Sequence, residues 1–214
     1  SFSVKWLVPR LGRFHEEYPE IDVWISTHDE LVDLSGHGVD IAIRLGNGDY
    51  PGLTSTLLLK EHVFPVCSPV FLARHENLKT PADLVDVPLL LRLGDPAHPN
   101  WEDWFKKAGV GDVSPSEGTR FPDSNMALQA AKEGLGVALA RTAHVSDDLT
   151  AGNLVRLFDV DHRSSVSYYL VCPEAMSEKP RIVAFRDWLL AEAKIAQDEY
   201  DKTASVRPAS AGIG

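Results

Sequence analysis

The sequence predicts an α/β protein built from two subdomains. Helical and strand patterns alternate along the chain up to about residue 68, and they alternate again after it. The helices are indicated by apolar residues spaced three and four apart, and the buried strands by short β-branched runs. Because the alternation is interrupted near residue 68, we expect two α/β subdomains rather than one long sheet.

The first subdomain opens with an amphipathic helix that Pro19 stops. Its apolar residues recur at helical spacing and share one face: Leu7, Leu11, Phe14 and Tyr18. Residues 21–25 and 39–43 then predict two strands of a buried sheet, the first by alternation and the second by a β-branched run. With a short helix over residues 30–34, they form a strand, helix, strand unit of the parallel type.

Two extended stretches, residues 57–59 and 63–67, lie before the break, and a helical pattern resumes at Pro69. Residues 89–91 predict a short buried strand. The helix after it has an aromatic face: Trp101, Trp104 and Phe105. A second apolar core is therefore expected to start after residue 68.

The best-defined unit of the sequence follows. Ser124 is expected to cap a helix that runs to Glu133, and Gly134 ends it. A strand over residues 135–140 and a helix from about Thr142 come next.

The C-terminal part predicts two strands and one helix. The strands are residues 154–158 and 166–172, and Pro180 opens the helix. One face of that helix is apolar: Ile182, Phe185 and Leu189. About the last fifteen residues mix small residues with proline and glycine, which is typical of a mobile tail.

Composition excludes several classes of protein. The 31 acidic and 21 basic side chains give a net charge of −10, so these residues do not supply the positive field that DNA phosphates require. No apolar run approaches the length needed to cross a bilayer. Cys67 and Cys172 lie far apart without a CxxC motif, so neither a disulfide nor zinc is expected, and a reducing cytoplasm is the simpler compartment.

Catalytic motifs find no match either. The sequence contains no GxSxG, HExxH, GxxxxGK[ST] or GxGxxG string, so it is not expected to be an enzyme and no cofactor is predicted. The strongest polar cluster for a metal ion is Asp159, Asp161 and His162, but these residue types are common in turns and no metal site is predicted.

Three polar places are candidates for ligand binding. The hydroxyl groups of Ser1 and Ser3 lie at a helix start, where backbone N–H groups also lack partners. Thr27 and His28 come directly after a strand, where open α/β sheets bind ligands. Residues 121–125 form another helix start beside an aromatic side chain. Helix capping explains the serines equally well, so function requires the three places to converge.

Several strings in the sequence resemble the effector-binding domain of LysR-type transcriptional regulators. They are WLVPRLGRF (6–14), YPEIDV (18–23), VDIAIRLG (39–46), FPVCSP (64–69), SNMALQAAKEGLGVAL (124–139) and LVRLF (154–158). They occur in the expected order from the first residue to about residue 193. Residues 26–28 and 44–46 resemble the subgroup that contains the glycine-cleavage activator and the β-lactamase regulator.

The resemblance implies a type 2 periplasmic-binding-protein-like fold, with two Rossmann-like subdomains joined by two crossover strands. The crossovers would be residues 63–68 and 167–173. Subdomain I would be residues 1–67 plus 172–195, subdomain II residues 68–171, and residues 196–214 a disordered tail.

The resemblance also implies a ligand cleft between the subdomains. Matched position by position, the cleft residues are Ser1, Ser3, Thr27, Phe121, Asp123, Ser124 and Tyr168, and His28 beside Thr27 is a further ligand-binding candidate. Hydroxyl groups of Ser1, Thr27 and Ser124 would bind a carboxylate or another polar group, while Tyr168 and Phe121 would form amphipathic walls.

The family further implies partners for this chain. Members carry an N-terminal winged helix-turn-helix, absent here, and because the sequence begins at Ser1 inside a helical pattern we expect a fragment. The resemblance implies a small-molecule effector, a homodimer or homotetramer with residues 11–18 packed near residues 127–132, promoter DNA through the missing domain, and RNA polymerase. No membrane partner is expected.

Two alternatives stay open from the residues alone. A solute-binding protein of a transport system with the same fold would need a signal peptide upstream. An α/β enzyme would need a nucleophile and a base in the cleft, and the sequence shows no such pairing.

Overall fold

The computed structural model describes residues 2–27, 34, 38–93, 99–160 and 162–205. The strands are β1 (Ala42–Gly46), β2 (Leu53–Cys67), β3 (Leu89–Arg92), β4 (Thr119–Phe121), β5 (Val137–Arg141), β6 (Val155–Arg156) and β7 (His162–Pro173). The helices are α1 (Leu11–Glu17), α2 (Pro69–Arg74), α3 (Trp101–Lys107), α4 (Ser124–Lys132), α5 (Thr142–Thr150) and α6 (Pro180–Ser205). Shorter helical turns are Ser3–Leu7, Val8–Arg10, Pro81–Asp86 and Glu174–Met176.

The described strands form one open mixed sheet in the order β1, β7, β2, β5, β3, β4, with β6 paired to β2. The long strands β2 and β7 pair antiparallel along most of their length, from Leu53 opposite Pro173 to Val63 opposite His162. Strand β1 extends the sheet beyond β7, whereas β5 pairs with β2 and continues to β3 and β4. Residues 63–67 of the first predicted crossover lie in β2, and residues 167–173 of the second lie in β7. These neighbouring strands have β1 on one side and β5, β3 and β4 on the other.

Buried apolar side chains form separate clusters at the two ends of the sheet. The cluster at the β1 and β7 end includes Trp6, Phe14 and Leu189, all fully buried. Two further clusters lie around β3 and β5, one with Phe64 and Leu128 and one around the α3 tryptophans. Burial of such large side chains is the main favourable contribution to folding.

The prediction of a strand over residues 21–25 is wrong, although half-buried and exposed side chains do alternate along this segment. Ile21, Val23 and Ile25 are half-buried against the cluster around Trp6, and the residues between them are exposed. The segment nevertheless pairs with no strand within the described part of the chain. Periodicity indicates which side chains face a core, but a strand also requires a neighbouring backbone at hydrogen-bonding distance.

The other predicted elements are found with shifted bounds. The stretches 57–59 and 63–67 belong to one strand, β2, and the strand predicted over residues 39–43 is found at Ala42–Gly46. The predicted helix over residues 30–34 lies outside the described residues except for Leu34, which is buried in a turn.

The prediction that the chain is disordered from residue 196 is wrong for residues 196–205, which continue α6. Ala196 and Tyr200 are buried, and they extend the spacing of the apolar residues before them. Tyr200 stacks on Phe64 with ring centroids 5.9 Å apart, and its hydroxyl accepts a hydrogen bond from Arg156 at 3.0 Å. This packing explains why the helix continues. Residues 206–214 lie outside the described part.

Cys67 and Cys172 are both free thiols and both buried. Within the described residues, no helix is both long enough and apolar enough to span a membrane.

Candidate functional site

The N-terminus of α4 is capped by Asp123, not by Ser124 as predicted. The Asp123 backbone is extended, and its carboxylate accepts hydrogen bonds from the amides of Asn125 at 2.8 Å and Met126 at 3.0 Å. Aspartate and serine are both good N-cap residues, but the N-cap position has non-helical backbone, and here that position is Asp123. Ser124 therefore lies within the first helical turn, buried, with its hydroxyl available for another contact.

This capping role predicts the effect of a substitution. Asp123→Ala should lower the free energy of unfolding by about 1 kcal/mol, since two helix amides lose their acceptor. Asp123→Asn should keep most of the stability because an amide oxygen also caps. Urea unfolding of the three proteins measures the difference. Equal stability of Asp123→Ala and the wild type would contradict the capping assignment.

A buried hydrogen-bond chain joins Ser124 to Tyr168. Arg141 donates from Nη2 to Ser124 Oγ at 3.2 Å, and the same nitrogen lies 3.1 Å from Nδ1 of His144. The other ring nitrogen, Nε2, lies 3.2 Å from the Tyr168 hydroxyl. All four residues are buried. The chain thereby connects α4, β5 and α5 with the long strand β7.

The direction of these hydrogen bonds follows from the arginine. A guanidinium has only donors, so Ser124 Oγ and His144 Nδ1 must be the acceptors. A neutral His144 then carries its proton on Nε2 and donates it to the Tyr168 oxygen. Both hydroxyl oxygens are consequently occupied as acceptors. The hydroxyl groups of Ser124 and Tyr168 each keep a hydrogen that these two contacts do not use.

Tyr168 lies at one end of this hydrogen-bond chain and is held there by its neighbours. Its ring packs against Phe2 with centroids 4.3 Å apart. Burial, and next the charge of Glu61, raise the pKa of Tyr168 well above its ordinary value. The hydroxyl group therefore stays protonated and can act as a donor.

Glu61 is a fully buried acid in β2, next to this hydrogen-bond chain. One of its carboxylate oxygens, Oε1, accepts a hydrogen bond from the Ala143 amide at 3.0 Å. Burial raises the pKa of Glu61 to about 7, although the charge of Arg141, the bond from Ala143 and the charge of His62 act in the opposite direction. Near neutral pH, its ionisation can therefore change the field around Arg141.

A cavity of about 470 Å³ lies beside Ser124 and Arg141. Its polar and charged lining includes Arg92, Asn100, Glu102, Arg120, Ser124 and Arg141. That volume falls in the range of small-molecule sites. Another recess of about 510 Å³, beside α2, is lined mainly by apolar side chains and by none of the predicted site residues.

The structure brings together only part of the predicted site. Ser124 and Tyr168 belong to one hydrogen-bond chain, and Asp123 is the cap beside them. Ser3 is half-buried in the first helical turn, next to the phenylalanine that contacts Tyr168. Thr27 is exposed and makes no hydrogen bond to the other described residues.

Of the three remaining predicted residues, the structure describes Phe121. Phe121 is half-buried in β4, packs against the cluster around Leu128, and its carbonyl accepts a hydrogen bond from the Leu93 amide at 2.9 Å. Ser1 and His28 lie outside the described residues. In the part of the chain that the structure describes, no three His, Cys, Asp or Glu side chains are grouped as a metal ion would require.

Sequence reasoning missed Arg141, His144 and Glu61. Glu61 had a local signal in the sequence. Leu59, Glu61 and Val63 occupy every second position of one strand, and an acid between two core positions predicts a buried carboxyl. Arg141 ends an apolar strand, which is a weaker signal of the same kind. His144 has no local signal, because its partners are brought near it only by folding.

Comparison with known proteins identifies the family of this chain. Residues 1–194 match the family model described as the LysR substrate binding domain, so the chain belongs to that family. It is 40% identical over 200 residues to the glycine cleavage system transcriptional activator of Escherichia coli, covering 94% of this chain and 65% of that protein. It is 35% identical over 196 residues to the transcriptional activator AmpR of Pseudomonas aeruginosa, covering 91% and 64%.

A solved structure is similar over nearly its whole length. The effector domain of AmpR from Pseudomonas aeruginosa superimposes with a TM-score of 0.72 at 34% identity, covering 93% of this chain and 94% of that one. The predicted fold class, a periplasmic-binding-protein-like α/β fold, is thereby confirmed. The chain spans less than two thirds of the length of the two curated relatives named above.

Proposed function

We propose that this chain is the ligand-sensing domain of a LysR-type DNA-binding transcriptional regulator, and not an enzyme. The observation that carries the proposal is the buried chain from Ser124 through Arg141 and His144 to Tyr168, which lies beside a cavity in a domain of this family. The relatives named above are transcriptional activators, which favours a regulator over the solute-binding alternative.

The cleft residues have different roles in this proposal. Ser124 and Tyr168 donate their hydroxyl hydrogens to the effector, and Asp123 keeps the helix start in place. Phe121 forms a wall, and Ser3 and Thr27 belong to the opposite side. Residues 1–67 plus 172–195 form subdomain I, and residues 68–171 form subdomain II.

The effector acts in this proposal by shifting a conformational equilibrium. Effector contacts on both sides of the cleft favour one angle between the subdomains. The shift in the populations of the two conformations is limited by the difference in the effector's affinity for them. The angle changes how effector domains pair as dimers or tetramers, with residues 11–18 near residues 127–132. Pairing in turn sets the spacing of the DNA-binding domains on the promoter and their access to RNA polymerase in the cytoplasm.

Ser124→Ala and Thr27→Val should weaken effector binding without unfolding the domain. A thermal-shift screen of metabolites identifies a ligand, and titration calorimetry then compares its affinity in the wild type and the variants. Loss of one hydrogen bond should reduce affinity by roughly tenfold in each variant.

Ser55→Ala is the matched control, because Ser55 is exposed on β2 and should bind the ligand as the wild type does. Unchanged affinity in both Ser124→Ala and Thr27→Val would refute the assignment of the cleft. Turnover of the ligand would refute the proposal that the domain is not an enzyme.

A further inference from the structure

Helix α6 runs beyond the part of the chain that matches the family model. The match ends at residue 194, whereas the helix continues to Ser205. Its buried side chains keep helical spacing across this limit, from Leu189 and Ala193 to Ala196 and Tyr200. The helix therefore stays packed as far as Tyr200, and the family model does not account for this extension.

The buried face of α6 contributes to two different cores. Leu189 lies in the cluster that contains Trp6 and Phe14. Tyr200 lies in the cluster that contains Leu128. In the division proposed above, Trp6 and Phe14 belong to subdomain I and Leu128 belongs to subdomain II. One helix thus packs on both sides of the boundary.

A buried acid fixes α6 to the first of these sides. The Glu192 carboxylate accepts a hydrogen bond from Nε of Arg13 at 2.9 Å and lies 3.8 Å from Nε of Arg10. Both arginines belong to the N-terminal helical segment of subdomain I. Because separating a buried carboxylate from its cations is unfavourable, these contacts form a firm first anchor.

The Tyr200 side chain forms the second anchor. Its ring stacks on Phe64 with centroids 5.9 Å apart and lies 5.3 Å from the ring of His62. Its hydroxyl oxygen accepts a hydrogen bond from Nη1 of Arg156 at 3.0 Å, and the same guanidinium lies 4.3 Å from the centre of the Phe64 ring. Phe64 lies in the first crossover strand, and Arg156 lies in β6 of subdomain II.

The two anchors are joined by continuous helix. Glu192 and Tyr200 lie about 12 Å apart along the helix axis, at a rise of about 1.5 Å per residue. Residues 181–205 contain no proline and no glycine, which are common causes of sharp helix kinks. A change in the angle between the subdomains must therefore bend α6 or release Tyr200.

We propose that the end of α6, residues 196–205, is a strap that crosses from subdomain I to subdomain II and restrains the angle between them. This inference rests on the proposed sensing function, because it uses the same division into subdomains. The strap adds a third connection to the two crossover strands. It contributes to the free-energy difference between the conformations that an effector must shift.

The experiment measures the angle without an effector, by pulsed electron paramagnetic resonance between two spin labels. The labels are attached at Asp49→Cys in subdomain I and Lys107→Cys in subdomain II, because both positions are exposed. The native thiols of Cys67 and Cys172 are buried, and the protein without introduced cysteines reports any label on them. Dilution with unlabelled protein removes distances between copies. We expect one narrow distance distribution for the doubly labelled parent.

Two variants of the labelled protein release the strap in different ways. Tyr200→Ala removes the second anchor. Lys194→Gly combined with Ile195→Gly keeps Tyr200 and both cores, since residues 194 and 195 are exposed, but it places two flexible residues between the anchors. We expect each variant to broaden the distance distribution or to shift part of it to a second distance.

Leu78→Ala is the matched control, because it removes a buried side chain from the cluster around the α3 tryptophans and should leave the distribution unchanged. Circular dichroism and thermal midpoints verify that the variants are folded. If Tyr200→Ala does not fold, the glycine variant alone decides.

An unchanged distribution in the folded variants would overturn the proposal. Equal broadening in Leu78→Ala would also overturn it, because the effect would then be a general loosening. Broadening in Tyr200→Ala without broadening in the glycine variant would assign Tyr200 a local packing role instead. Failure of the sensing function is separate, since Ser124→Ala and Thr27→Val test it with a ligand and the strap is measured without one.

Discussion

Glu61→Gln is expected to stabilise the domain at pH 8 by about 3 kcal/mol relative to wild type, and to change its stability little at pH 4. The pKa of Glu61 is raised in the folded state, to about 7 from an ordinary 4.5, because the side chain is fully buried in β2. The folded state therefore binds a proton that the unfolded state has already released. Glutamine is neutral at every pH and keeps the hydrogen-bond acceptor that faces Ala143.

The sign of this effect follows from proton linkage. An acid whose pKa is raised on folding contributes no penalty below the unfolded value, and it destabilises the protein increasingly as pH rises from about 4.5 to about 7. The difference in unfolding free energy between variant and wild type should therefore grow across this interval and be constant above it.

Urea unfolding at several pH values measures that difference. Glu20→Gln is the matched control, since Glu20 is exposed after α1 and its substitution should have no such pH dependence. A difference for Glu61→Gln that does not vary with pH would mean that the buried carboxyl titrates normally.

Asp148→Ala is expected to destabilise the domain by about 3 kcal/mol, because it leaves two partly buried lysines without their shared partner. The Asp148 carboxylate, in α5, accepts hydrogen bonds from Lys132 at 2.7 Å, Asn153 at 3.2 Å and Lys5 at 3.3 Å. It thus joins the first helical turn to α4 and α5. Its side chain is 12% exposed, so solvent screens these contacts weakly.

The pH dependence of Asp148 has the opposite sign to that of Glu61. Burial acts to raise the pKa of Asp148, but the hydrogen bonds from Lys132 and Asn153 and the charge of Lys5 outweigh it, and the pKa is lowered. Its contribution is therefore present above the ordinary carboxyl pKa and is lost as pH falls below it.

Asp112→Ala is the matched control for Asp148→Ala. Asp112 pairs with Lys106 at 3.4 Å, but its side chain is 90% exposed, so we expect a change within about 0.5 kcal/mol. Guanidinium unfolding at pH 7 compares the two variants. A small effect of Asp148→Ala, similar to that of the control, would show that the network contributes little to stability.

The sequence determined the family, the fold class and most of the helices. Helices depend on contacts three and four residues apart, so the periodicity that predicts them also describes their packing face. The strand predicted at residues 21–25 failed because pairing depends on a second segment. The end of α6 was not predicted, because the small residues, proline and glycine near the C-terminus indicated a tail. The apolar spacing that continues to Tyr200 indicated the helix instead.

Only the tertiary structure decided how the site is connected. Ser124 and Tyr168 were predicted from residue type and family position, but the residues between them, Arg141 and His144, were not. Hydrogen-bond partners 17 and 24 residues apart in the chain come together because α4 and α5 pack on strands of the sheet, which no local pattern records. The same holds for Glu61, whose pKa depends on burial and neighbouring charges, and both are properties of the folded protein.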